Sequence, residues 1–248
     1  MKKTFLLIAT LVALGLAPAF AQFGPQAPHF GGALDKLFGE HQAFSAVMEF
    51  QTGGPAGENI TMPGKFSFDT GKSRFEMNLS EMQGSKMPPD AAAHMKVMGM
   101  DTMISISRPD KKLVYIVYPG LNSYAEMTPQ DPSATAAANF KLETTELGKE
   151  TVDGHDCVKN KVIVTDKDGK QHESTVWNAT DLKNFPVKIV STEQGHDSTM
   201  LFKNISLAKP AAGNFEVPSG FTKYDNVQTM MQTEMMKKMG GAMGKPPQ

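Results

Sequence analysis

GKFSFDTGKSRFEMNL, residues 64–79, decides how the rest of the chain is to be read. Phe66 and Phe68 end one run, Asp69-Thr70-Gly71-Lys72 is a tight turn, and Phe75, Met77 and Leu79 then alternate with Arg74, Glu76 and Asn78. Apolar residues at every second position on both sides of a short Gly-containing turn predict a half-buried β-hairpin. The same period runs outward. Phe44, Ala46, Met48 and Phe50 alternate before it; after it come Ile104 and Ile106, a turn at Arg108-Pro109-Asp110-Lys111, LVYIVY at 113–118, and Leu121 to Met127 beyond Pro119-Gly120. A second series follows, with Leu142 to Val152 facing Asp156 to Thr165 across Asp153-Gly154. A turn at 166–170 leads to 171–179, 186–193 and 198–205. About eleven strands joined by mostly short turns predict a mainly β protein: one curled antiparallel sheet, a half-barrel, with short helical lid segments and a C-terminal helix. The absence of βαβ alternation excludes a parallel nucleotide-binding sheet. LVYIVY and KVIV (161–164) carry apolar residues at successive positions, which predicts burial on both faces there.

Three segments break the period. Leu34, Leu37 and Phe38 have helical spacing. Within 80–100, Pro88-Pro89 precedes Asp90 as N-cap, and Ala91 to Met98 forms a short helix stopped by Gly99. Near the end, Asp225 with Gln228 fits a capping box ahead of Val227, Met230, Met231, Met235 and Met239. Residues 128–140, rich in Pro, Ala and Thr, read as a loop.

Lys2-Lys3, the apolar run Phe5 to Leu16 and Ala19-Phe20-Ala21 have the order of a cleaved secretory signal peptide, and no Cys follows to take a lipid. The expected divisions are a signal peptide at 1–21, a Gly/Pro-rich lead and short helix at 22–42, the sheet at 43–225, and a Met-rich helix and tail at 226–248. The expected location is periplasmic or secreted. No later apolar run reaches the length of a membrane-spanning helix. With 25 Lys+Arg against 26 Asp+Glu, and Arg only at 74 and 108, the chain lacks the field and the bidentate donors that nucleic acid requires. Cys157 is the only cysteine, and its neighbours suggest a shielded thiol rather than a reactive one.

Several short motifs, in order, resemble the LolA-type periplasmic lipoprotein carriers. They are Gly71-Lys72-Ser73-Arg74-Phe75-Glu76, Asp110-Lys111-Lys112-Leu113-Val114-Tyr115, Pro119-Gly120-Leu121-Asn122-Ser123-Tyr124, and the closing Phe215-Glu216-Val217-Pro218-Ser219-Gly220-Phe221. Residues 148–157 and 177–186 are more similar to uncharacterised exported relatives than to LolA itself. The resemblance implies a half-barrel with helices over its mouth and an apolar cavity for acyl chains. It also implies that Arg74 matches the carriers' strand arginine, which latches the helical lid. Read from the residues alone, Arg74 is an exposed cation paired with a carboxylate.

Eighteen methionines are unusual. Met82, Met87, Met95, Met98, Met100 and Met103 surround the first inserted helix, and six more crowd 230–243. Three readings stay open: core filling, an adaptable lid over a lipid groove, or a Cu(I) site built from Met95, Met98, Met100 and Met103 with His94. The six His are scattered; His155 and His196 sit in Gly-His-Asp triplets, which allow a zinc pair but suit turns as well. No nucleophile elbow, zinc-protease, Cys-x-x-Cys or phosphate-loop motif occurs, so no catalytic residue, cofactor or metal ligand is assigned.

The resulting expectation is a non-enzymatic exported carrier or sensor. Its partner is a lipid, a lipoprotein acyl chain or another apolar molecule held by Phe66, Phe68, Phe75, Met77, Ile104, Ile106, Tyr115, Val117, Trp177, Met231 and Met235, with Arg74 as latch. The alternatives are a periplasmic Cu(I)-binding protein and a structural envelope protein that docks a partner through its C-terminal helix.

Overall fold

A computed structural model describes residues 32–53, 59–84, 89–128, 140–165, 169–193 and 196–243. The expected signal peptide, most of the 128–140 loop and the core of the 166–170 turn lie outside them. In chain order, α1 (Gly32–Leu37) leads into β1 (Ala43–Gly53), β2 (Asn59–Asp69) and β3 (Lys72–Asn78). After α2 (Pro89–Met98) come β4 (Thr102–Arg108), β5 (Leu113–Tyr118) and β6 (Ser123–Met127). The second series is β7 (Lys141–Val152), β8 (His155–Thr165), β9 (Gln171–Ala179), β10 (Phe185–Glu193) and β11 (His196–Ser206). β12 (Thr222–Tyr224) and α3 (Val227–Met243) close the described chain.

All strands join one sheet in the order β12-β6-β5-β4-β3-β2-β1-β11-β10-β9-β8-β7. Two meanders meet where β1 pairs with β11, with Met48 opposite Phe202. The 64–79 hairpin forms as expected, Phe66 facing Phe75 across a turn in which Thr70 and Gly71 take positive φ. The sheet is nevertheless not wholly antiparallel, because β12 runs parallel beside β6. Three residues, TKY, are too few to show a period, so this strand has no sequence signature. The α3 cap also differs from expectation: Asn226 Oδ1, not Asp225, accepts from the Thr229 amide at 2.8 Å. Asx side chains one residue apart compete for the same cap, and the one with non-helical geometry at the boundary takes it.

One face of the sheet carries a single core, reaching from Ala125 on β6 through Phe66 and Phe202 at the centre to Val164 on β8. Among the described residues no second sheet covers this face, so strands near opposite edges share a core only because the sheet curls round it. The outer face bears a separate small cluster of Ile104, Ile106, Tyr115, Val117 and Phe215. LVYIVY is therefore buried on both sides, Ile116 and Tyr118 inward and Tyr115 and Val117 outward. KVIV is not: Val162 and Val164 are buried, whereas Ile163 faces the half-exposed outer side.

After β11 the chain crosses the outer face, where the short turn Ala212–Phe215 covers the second cluster. It then follows the β6 edge as β12 and returns on the inner side as α3, whose Met230 is buried in the main core.

Candidate functional site

The inner face is filled in two different ways along its length. At the end bounded by the 69–72 and 153–154 turns, Phe38, just after α1, reaches the rings of Phe44, Phe66, Phe68, Phe185 and Phe202 at centroid distances of 4.8–6.5 Å. All six are almost fully buried. His41 leans edge-on against Phe185 and its Nε2 lies 3.0 Å from the Lys183 carbonyl oxygen. Close-packed rings of this kind leave no room for a guest.

The opposite end has a floor of buried Met62, Met77, Met103 and Met200. Around it Phe50, Ile60, Met82, Met95, Met100 and Met231 are only partly buried. Between the two ends Gly64 lets β2 pack directly against the next strand, because any Cβ there would collide with the Phe75 ring and the Glu76 carbonyl. Both methionine-bearing helices lie at this second end. None of the described side chains of α2 is buried, and Val97 is 81% exposed. The helix is held instead at its C-terminus, where the Gly99 and Gly120 backbones touch so closely that a Cβ on either would clash. Lys238 of α3 donates to the Met98 carbonyl at 2.6 Å, so α3 caps α2.

Each end also holds a carboxylate in an unusual setting. Asp35 on α1 has a buried Oδ1 with no hydrogen-bond partner among the described residues, and burial raises its pKa to about 7. Glu234 on α3 is buried too, but it accepts from Ser123 Oγ at 3.0 Å, Tyr224 OH at 2.6 Å and Lys237 Nζ at 2.8 Å. Burial pushes its carboxyl up, yet Lys237, Tyr224 and Ser123 outweigh that and hold it below the usual range.

The residues expected to bind a ligand divide among these regions. Phe66 and Phe68 belong to the packed ring cluster, whereas Met77 belongs to the methionine floor and Phe75 to the core beside it. Met231 is half-buried against that core and Met235 is exposed on α3. Ile104, Ile106, Tyr115 and Val117 point outward under Phe215. Trp177, paired between Lys159 and Lys188, lies with their ammonium groups 5.0 and 4.5 Å from its ring, and its Nε1 donates to Glu150 at 2.8 Å.

Arg74 does not reach the helices. It sits on the outer face, bonded to Glu76 at 2.8 Å and to the Asn214 carbonyl at 3.4 Å, because its strand parity is opposite to that of Phe75. It lines a polar cleft of about 620 Å³ together with Lys65, Ser67, Glu76, Asn214 and Glu216. Arg108, which reads as a turn residue in the sequence, is the stronger anchor. It donates to the Phe215 carbonyl at 3.0 Å and to both Asp110 oxygens, and it pairs with Glu216. The hydrogen bonds that Arg108 donates to Asp110 and Glu216 push the guanidinium pKa upward. Thus both arginines of the chain bind main-chain carbonyls of one segment, a signal available only from the rarity of Arg.

Cys157 is buried, its Sγ donates to the His155 carbonyl at 3.3 Å, and burial pushes the thiol pKa up. His155 is engaged by Asp181 at 2.7 Å. Among the described residues no three His, Cys, Asp or Glu side chains gather as a metal set. Met103 is a buried sheet residue opposite Met77, while Met95, Met98 and Met100 are half-buried on α2 and just beyond it.

DUF4412, a domain of unknown function, matches residues 44–185. The chain belongs to this family. The DUF4412 match runs from Phe44 to Phe185, two rings that meet edge to face at 4.8 Å, and leaves the arm after β11 outside. No curated protein matches. Similar solved structures include a LolA superfamily protein from Nitrosomonas europaea, 9% identical over 75% of this chain and 96% of that one, with a TM-score of 0.38. LprF from Mycobacterium bovis is 12% identical over 77% and 95%, with a TM-score of 0.40. The lipoprotein LppX from Mycobacterium tuberculosis is 12% identical over 75% and 94%, also at 0.40. Among the described residues no helix is long and apolar enough to cross a membrane.

Proposed function

We propose that this DUF4412 protein is an exported, non-enzymatic carrier or sensor that takes a lipid or lipoprotein acyl chain at the methionine end of its curled sheet. The observation that carries this reading is the unequal filling of the inner face: six rings close one end, and half-buried Met82, Met95, Met100 and Met231 border the other. Methionine is unbranched, flexible and polarizable, so such a border can repack around apolar guests of different shape. The covering helix α2 has no buried side chain among those described, so displacing it uncovers little. The motif order that resembles the LolA-type carriers supports the same reading, as does the N-terminal signal-peptide pattern for the compartment.

Protein purified from its native envelope should carry extractable lipid, visible by native mass spectrometry. The stripped protein should then bind a pyrene-labelled long-chain fatty acid saturably. Met100→Lys, which sets a charge in the mouth, should weaken that binding by tenfold or more, a loss of at least about 1.4 kcal/mol. Absence of saturable binding, or equal binding by the Met100→Lys variant, overturns the proposal.

A further inference from the structure

The segment from Leu207 to α3 wraps one edge of the sheet, and its two halves are held by different means. On the outer face Phe215 is buried in its own cluster, Arg108 grips the Phe215 carbonyl and Glu216, and Arg74 and Lys111 add further bonds. At the edge, β12 pairs with β6, the Thr222 amide donates to the Asn122 carbonyl at 2.9 Å, and Lys223 pairs with Glu126 at 2.8 Å. On the inner side, among the described side chains, α3 fully buries Met230, packs Val227 and Met231 half-buried against the core, and adds the polar cluster at Glu234 and the Lys238 bond. We infer that this arm is an asymmetric clip: its outer half is a fixed anchor, and α3 is a releasable cover bolted by Glu234 to Ser123 and Tyr224, with β12 as the hinge. Opening carries Met230 and Met231 away from the methionine border and, through Lys238, frees the end of α2. What opening exposes rests on the carrier reading; the clip itself does not.

The asymmetry follows from packing. Unlatching the outer half would uncover Ile104, Ile106, Tyr115 and Val117 together, whereas among the described side chains unlatching α3 uncovers one fully buried apolar residue, Met230, with half-buried Val227 and Met231.

Amide hydrogen exchange on the full mature chain without ligand tests the clip. Met231–Lys238 should exchange sooner than Asn214–Tyr224. Glu234→Gln, which keeps the shape, should speed exchange in α3 and the last turn of α2 by about tenfold, with Asn214–Tyr224 unchanged. Phe215→Ala should loosen both halves. Equal protection of the two halves, no change in α3 on Glu234→Gln, or equal acceleration of the outer half overturns the clip. The pyrene fatty acid separates the two ideas. If Glu234→Gln frees α3 while the probe never binds, the clip stands and the carrier reading fails. A tightly bound probe over an unmoved α3 overturns the clip alone.

Discussion

At one end of the inner face a helix drives Phe38 among five other rings; at the other, two helices rest on methionine. The turns differ in the same sense. Asp69-Thr70-Gly71-Lys72 and Asp153-Gly154 bring strands together at the ring end, while the other end accommodates the long insertion that carries α2. The carboxylates differ as well: Asp35 Oδ1 has no hydrogen-bond partner among the described residues, whereas Glu234 is given three donors. The comparison teaches that one curled sheet can keep its rigidity and its adaptability at separate ends: aromatic shape fixes the first, and methionine flexibility leaves the second adjustable.

The largest effect should come from breaking the ring end. Phe44→Ala should cost about 3–5 kcal/mol in urea unfolding, whereas Met231→Ala, half-buried at the border, should cost less than about 1 kcal/mol. Similar losses at both sites would erase the distinction. Next in size is Asp35. Its folded pKa is raised to about 7, chiefly by burial, so the stability it lends is complete below the ordinary carboxylate value and is lost as pH rises through about 7. Asp35→Asn should therefore flatten that decline and leave the variant more stable than the parent by about 2 kcal/mol near pH 8. Glu234 has the opposite sign. Its depressed carboxyl supports α3 above the ordinary value and loses that support only as pH falls through the lowered one, so acid should tighten α1 and loosen α3 in the same titration. Thermal unfolding followed across pH, with exchange in α3, checks both. The smallest effect belongs to Arg74→Gln, which should cost under about 1 kcal/mol and leave fatty-acid probe affinity unchanged. A clear loss of affinity would tie the outer arginine to the inner mouth after all.

The local half of this architecture is legible in the sequence. Alternation in GKFSFDTGKSRFEMNL, with its Gly-containing turn, suffices to place Phe66 opposite Phe75. Which apolar set faces inward is not legible, because it depends on register between strands separated by the α2 insertion. Met77 pairs with Met103, and that alignment sends Ile104 outward beside Glu76. A shift of one residue would have exchanged the faces. Trp177 is a similar case: neighbouring Val176 in the strand, it is buried with the main core cluster, yet its cross-strand partners are Lys159 and Lys188, whose ammonium groups lie against its ring. The lid latch expected at Arg74 follows motif position, but the polar contacts that hold α3 come from Ser123, Tyr224 and Glu234, none of which stands out in a linear reading. Asp35 is likewise invisible, since an acidic residue in a first helical turn is ordinary until the turn is buried.

The pairing of β1 with β11 has a consequence for biogenesis. Each meander consists of neighbours in sequence and can assemble as soon as its own strands have emerged, but the central seam cannot close until Phe202 arrives. Until then the edge of β1 that will meet β11, from Ser45 to Thr52, stays unpaired although its other edge is held by β2, an adhesive margin open to any other extended chain. A chaperone that shields this margin would act on the newborn protein for only as long as the second meander takes to emerge.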